Sequence, residues 1–271
     1  MNYNQMALEM HEKHHGKIEV TSKVKVENRD DLSTAYTPGV AEPCRKIAQN
    51  KEDVYKYTSK GNMVAVVTDG TAVLGLGDIG PEAGLPVMEG KCVLFKEFAN
   101  VDAFPICLDT KDVDEIVETV ARISPSFGGI NLEDIAAPRC FEVEEKLKKR
   151  INIPVFHDDQ HGTAIVVLAA VINALKVVHK NIDEVKVVIS GAGSAGSAIG
   201  KLLMQYGVKH LLYSDRNGIL NEETALNDAQ RKLAKETNPE NKSGTLKDAL
   251  AHADVFIGVS APGLVSPEMI K

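Results

Sequence analysis

Tryptophan is absent from the chain, so indole fluorescence cannot report on its folding. Cysteine is scarce. Cys44, Cys92, Cys107 and Cys140 are widely spaced and form no C-x-x-C pair, which leaves buried reduced thiols as the expectation. Long apolar runs are missing too. The longest, Ala164 to Ile172, is too short to span a bilayer. Met1 to Gly16 is polar and His-rich, without the apolar stretch of a signal peptide. A cytoplasmic location with no membrane partner is therefore expected. An excess of positive charge is also lacking. The net charge of −7 argues against nucleic acid as the main partner. It leaves a small anionic substrate open, because local cations and metals outrank net charge.

What is present is an ordinary globular composition, 44% apolar and 25% charged, in 271 residues, enough for two domains. Short apolar runs end in turn or acidic residues. Met63 to Val67 meets Thr68-Asp69-Gly70. Ala103 to Leu108 meets Asp109. Gly128 to Leu132 meets Glu133-Asp134. Ile153 to Phe156 meets His157-Asp158-Asp159. Helical patterns at 87–98, 113–123 and 140–149 lie between them. This alternation predicts an α/β fold with a largely parallel sheet, its strand tips sharing one edge where ligands bind. A helix over 162–179, nearly all apolar in its first half, is expected to be buried. A second series follows: strand 185–190, a glycine-rich turn, helix 195–206, strand 211–214, a polar surface excursion over 221–243, helix 245–252 and strand 254–260. The expected division is an N-terminal α/β domain over 1–160 and a Rossmann-type dinucleotide-binding domain over 161–271.

The turn reads Gly191-Ala192-Gly193-Ser194-Ala195-Gly196. It follows a predicted strand, opens a predicted helix and precedes Asp215 by about 20 residues, the dinucleotide fingerprint. The helix N-terminus offers unpaired N–H groups to a pyrophosphate. Asp215 can accept from a ribose 2′-hydroxyl and repels a 2′-phosphate, which favours NAD. Arg216 could pair with that phosphate, which keeps NADP open. The alternative is a tight strand–helix turn with no ligand.

Glu133, Asp134 and Asp159 are hard oxygen donors from two strand tips and suit Mg2+ or Mn2+. Singly, each is more commonly a cap or a solvated loop residue, and it is their clustering on one sheet edge that raises a metal role. His157 and His161 flank the second acidic pair, but no third soft ligand stands at a zinc spacing, so structural roles are preferred for them. Lys91 lies among apolar residues on a predicted helix. Desolvation would make it a usable base, although a snorkelling surface lysine is the commoner case. Tyr36, in a Pro-Gly turn, could simply be packing.

Taken together, Thr34-Ala-Tyr-Thr-Pro-Gly-Val40, Val67-Thr-Asp-Gly70, Leu74-Gly-Leu-Gly-Asp-Ile-Gly80, Met88-Glu-Gly-Lys91, Asn131-Leu-Glu-Asp134 and Phe156-His-Asp-Asp-Gln-His-Gly-Thr163 resemble malic enzymes of the short prokaryotic type, with Gly16-Lys-Ile-Glu-Val20 near the start. The resemblance spans essentially the whole chain. It implies oxidative decarboxylation of L-malate to pyruvate and CO2 with a divalent metal, in a homodimer or higher homo-oligomer. By motif, Tyr36 would be the general acid and Lys91 the general base. Asp158 would orient or tune Lys91, and Glu133, Asp134 and Asp159 would hold the metal. Two departures accompany it. Longer relatives place a carboxylate-gripping Arg after Thr-Asp-Gly, where this chain has Thr71-Ala72-Val73. The family also continues past a segment like Ala261 to Pro267, so a C-terminally shortened chain is expected. The competing expectations are an oxaloacetate decarboxylase or malolactic-type enzyme, an inactive dinucleotide-binding fragment, and a plain amino-acid-type dehydrogenase, which would not need three clustered carboxylates.

Overall fold

A computed structural model describes residues 1–270. They form two compact units, one of Met1–Ile135 with Val143–Phe156, the other of Ala136–Glu142 with the chain from His157 onward.

The first unit opens with four helices, α1 (Tyr3–His14), α2 (Arg29–Ala35), α3 (Ala41–Gln49) and α4 (Val54–Tyr57). The Asn2 and Asn28 side chains cap the first two by accepting backbone N–H groups left without helical partners. No residue before Lys60 is buried. The α/β part follows as β1 (Met63–Thr68), α5 (Pro81–Ala99), β2 (Asp102–Cys107), α6 (Val113–Ile123), β3 (Gly129–Leu132), α7 (Arg139–Arg150) and β4 (Val155–His157). The sheet order is β2-β1-β3-β4, and β1 pairs parallel with both β2 and β3. A central strand is covered on both faces, so it reads as a continuous apolar run. Ala65, Val66 and Val67 are completely buried. Each such valine contributes about 1.5–3 kcal/mol relative to exposure. Helix α5 packs Met88 and Cys92 against Val66. It begins at Pro81, six residues before the expected start, because proline's missing N–H costs nothing in a first turn.

The second unit contains α8 (Asp158–Val178), β5 (Lys186–Ser190), α9 (Ser194–Tyr206), β6 (His210–Asp215), β7 (Gly218–Ile219), α10 (Asp228–Thr237), α11 (Leu246–Leu250), β8 (Val255–Gly258) and α12 (Pro267–Ile270). Its sheet runs β7-β6-β5-β8, parallel except for the short β7. The chain leaves β5 for β6 on one side and returns to β8 on the other. That reversal of strand order creates a crevice beyond the carboxyl end of β5. Both units thus have the α/β architecture expected, the second a Rossmann-type sheet.

Several expectations are corrected. Helix α8 starts at Asp158, so both aspartates lie in its first turn rather than in a loop. It is also not a buried helix. Ala164, Val171 and Leu175 join the core beside α9, whereas Ile165 and Val166 are 55% and 63% exposed. By length and composition alone α8 could cross a membrane, although its buried stripe is packed in the core of this unit. The segment over 221–243 is more than a surface excursion. Leu233 and Ala234 of α10 are buried in the same core. Of the cysteines expected to be buried, Cys92 and Cys140 are, whereas Cys107 is half-buried and Cys44 lies exposed on α3. Burial pushes the Cys92 thiol up to about 12, which keeps it inert.

Candidate active site

In the first unit, Lys91 sits in the middle of α5 and Glu133 just past the tip of β3. Lys91 Nζ lies 3.2 Å from Glu133 Oε1, with only 20% and 7% of the two side chains exposed. Asn131 and Glu133 are two residues apart, on one face of the chain leaving β3. Asn131 Nδ2 donates to Glu133 Oε2 at 2.8 Å. Asp134 is also buried and has a left-handed backbone, φ +53°. For a non-glycine residue that conformation is sparsely populated and clusters at functional sites. The Ala72 N–H donates to the Asp134 carbonyl at 2.9 Å, tying the Thr-Asp-Gly loop to this segment. Within that loop Asp69, itself buried, accepts from the Thr71 N–H and hydroxyl. Leu74, four residues past Gly70, is almost fully exposed. Two adjacent buried carboxylates of hard-oxygen chemistry suit a divalent cation, which would offset the cost of burying like charges together.

Tyr36 ends α2 with 67% of its surface exposed. In the second unit, Asp158 and Asp159 occupy the first turn of α8, where carboxylates complement the helix dipole. Asp159 Oδ2 stands 4.0 Å from Nε2 of the fully buried His157.

The glycine-rich turn joins β5 to α9. Gly191 has φ +113°, and a side chain at Gly196 would start 1.9 Å from the Gly191 carbonyl oxygen. Only glycine permits this closeness of strand and helix. Gly193 caps α9, Ser194 and Ala195 begin it, and nothing lies within 4 Å of where a Gly193 Cβ would point. That open space above a helix N-terminus suits a pyrophosphate. Ser190 and Ser260 hydroxyls meet across the crevice at 3.0 Å. Asp215, at the end of β6, accepts from the Ala192 N–H at 3.3 Å and from the Arg216 N–H at 2.8 Å. Gln230 Nε2 donates to it at 2.9 Å. The Arg216 side chain is exposed beside it.

Sequence reasoning missed Asn131, Asp69 and Gln230. The i, i+2 spacing could have signalled Asn131. Nothing local signals Gln230, which reaches Asp215 only through the docking of α10.

The fold and this crevice define an α/β protein with a dinucleotide-binding half. Residues 15–148 match the family model for the malic enzyme N-terminal domain, and residues 160–271 that for the malic enzyme NAD-binding domain. The chain is 59% identical over 273 residues to a bifunctional malic/malolactic enzyme of Bacillus subtilis, covering all of this chain and 67% of that protein. It is also 59% identical to an NAD-dependent malic enzyme of Geobacillus stearothermophilus, covering 94% of this chain and 54% of that one. A crystal structure of an NAD-dependent malic enzyme from Thermotoga maritima superposes with TM-score 0.95 at 54% identity, over 97% of this chain and 71% of that chain. The chain belongs to the malic enzyme family. It spans between about half and two thirds of the length of these two curated relatives.

Proposed function

We propose that the chain serves the reaction L-malate + NAD+ → pyruvate + CO2 + NADH, dependent on Mg2+ or Mn2+. The observation that carries this reading is the Lys91–Glu133 pair beside Asp134, in a chain whose second half carries the Gly191–Gly196 cradle. Lys91 takes the proton of the C2 hydroxyl. Asp158 acts as a positioning residue for Lys91, and Tyr36 protonates C3 of the enol left after CO2 departs. Glu133, Asp134 and Asp159 would hold the cation. When bound, the cation would supply stabilisation of negative charge on the substrate C2 oxygen, and the nicotinamide would supply the acceptor for the C2 hydride. With no Arg after Thr-Asp-Gly, other groups grip the malate carboxylate. Asp215 selects NAD over NADP.

A second reading is non-redox decarboxylation to lactate in the same pocket, favoured by the bifunctional name of the Bacillus subtilis relative. Malate, Mn2+ and NAD are incubated with the protein while reduced cofactor, pyruvate and lactate are followed together. Pyruvate and NADH rising in equal amounts support the first reading. Lactate without NADH supports the second. NAD binding without turnover would reduce the chain to a dinucleotide-binding module. Assembly as a homodimer or higher homo-oligomer is part of the proposal. The exposed apolar residues before Lys60, such as Tyr3, Met6, Leu8 and Leu32, support it. Sedimentation at equilibrium tests it, and a monomer at micromolar concentration would refute it.

A further inference from the structure

We propose that Gln230 is the residue that makes Asp215 an NAD-selective carboxylate. This rests on the dinucleotide-binding reading above and extends it to a position outside the fingerprint.

Gln230 is 94% buried, which is unusual for an amide side chain in a mostly polar helix. Both ends of that amide are engaged. Its Oε1 accepts from the Leu226 N–H at 2.8 Å, and its Nε2 donates to Asp215 Oδ2 at 2.9 Å. Its backbone N–H is held by the Asn227 cap at 2.9 Å. The amide therefore cannot flip without reversing both contacts, and it cannot swing away without emptying a packed site beside Leu233 and Ala234. Asp215 inherits this rigidity. Its Oδ2 already accepts from Gln230 and from the Ala192 N–H, and its Oδ1 accepts from the Arg216 N–H. A carboxylate has about four acceptor sites. Three are used, and the one that remains is on Oδ1.

Two consequences follow. A ribose 2′-hydroxyl can donate to Oδ1 with no rearrangement, so the acceptor is organised before the ligand arrives. A 2′-phosphate has no proton to donate and meets a fixed negative charge. It can be accommodated only if Asp215 rotates away and leaves the exposed Arg216 guanidinium to pair with the phosphate. Rotation breaks the contacts to Gln230 and Ala192. Gln230 thus acts as a positioning residue, through Asp215, by making the repulsive arrangement hard to leave.

The test is calorimetric titration of the full chain with NAD and, separately, NADP. The variants are Gln230→Met, which keeps length and loses the donor, and Gln230→Asn, an amide one carbon shorter that guards against misfolding of the first. In Gln230→Met the NAD affinity should fall about tenfold, the size of one hydrogen bond to a charged group, with NADP affinity unchanged or improved. Gln230→Asn should shift the ratio in the same direction by less. In an Asp215→Ser background, where the NAD–NADP gap is already narrowed, Gln230→Met should move the ratio no further. A folded Gln230→Met protein with an NAD-to-NADP ratio within about twofold of wild type overturns the proposal. So does an equal shift in the Asp215→Ser background, which would mean that Gln230 acts by some other route. A wild-type chain that binds neither dinucleotide overturns the parent reading and this one with it.

Discussion

Gly196→Ala gives the sharpest test of the dinucleotide cradle, because the structure sets the size of the insult. The added Cβ would lie 1.9 Å from the Gly191 carbonyl oxygen, 3.0 Å from the Gly191 carbonyl carbon and 3.4 Å from a Val259 methyl. The first distance is roughly 1 Å or more short of any contact a real Cβ makes, and both Gly191 atoms are backbone. No rotamer change relieves it, so the start of α9 must move away from the end of β5. Overpacking of this kind costs typically about 1–3 kcal/mol of stability. The same movement takes the helix N–H groups away from the pyrophosphate. Losing one hydrogen bond to a charged group, about 1.5–3 kcal/mol, weakens NAD by roughly ten- to a hundredfold. Gly193→Ala is the matched control. Its Cβ meets nothing within 4 Å, so the free protein should unfold at the wild-type temperature. It should nevertheless bind NAD more weakly, because the methyl occupies space meant for the ligand. Thermal unfolding and NAD calorimetry on the three proteins separate the effects. If Gly196→Ala binds NAD within about twofold of wild type, the claim that this closeness builds the site is refuted.

Further outcomes are expected elsewhere. Lys91→Ala should lose malate oxidation by about a hundredfold or more; retention of more than about a tenth of kcat, only about 1.4 kcal/mol of barrier, would remove Lys91 from the role of base. Tyr36→Phe should slow tritium exchange into C3 of pyruvate more than hydride transfer, and exchange at the wild-type rate would count against Tyr36 as the acid. Asp159→Ala should weaken Mn2+ binding and stop decarboxylation while leaving NAD calorimetry unchanged; an unaltered Mn2+ affinity would exclude it as a ligand. Asp102 is held down to about 2 by hydrogen bonds from Lys96 and Asn62 and by the nearby Lys23 ammonium. A depressed carboxyl stabilises the fold above its ordinary value and loses that contribution as the pH falls toward 2. Asp102→Asn should therefore lower the unfolding temperature near pH 7, with the gap to wild type closing between about pH 5 and pH 2; a gap that widens on acidification would reverse the assigned sign.

The sequence by itself determined the layered α/β plan. Its strands are short apolar runs cut off by turn or acidic residues, and that contrast survives any packing detail. Helix 113–123 was legible to the residue because Asp112 caps it and its buried positions, Ile116, Val117 and Val120, recur at helical spacing. The glycine turn was legible because its chemistry is written in consecutive residues. The start of α8 was not, since Asp158 and Asp159 serve equally well as loop residues and as first-turn residues, and only the backbone path decides between them. The exposure of α8 was likewise invisible, because an apolar helix reads the same whether its partner is the core or another surface. Tertiary structure alone brought Lys91 to Glu133 and Gln230 to Asp215. Those pairs are separated along the chain by helices and strands whose docking sets the distance, and no local spacing encodes it.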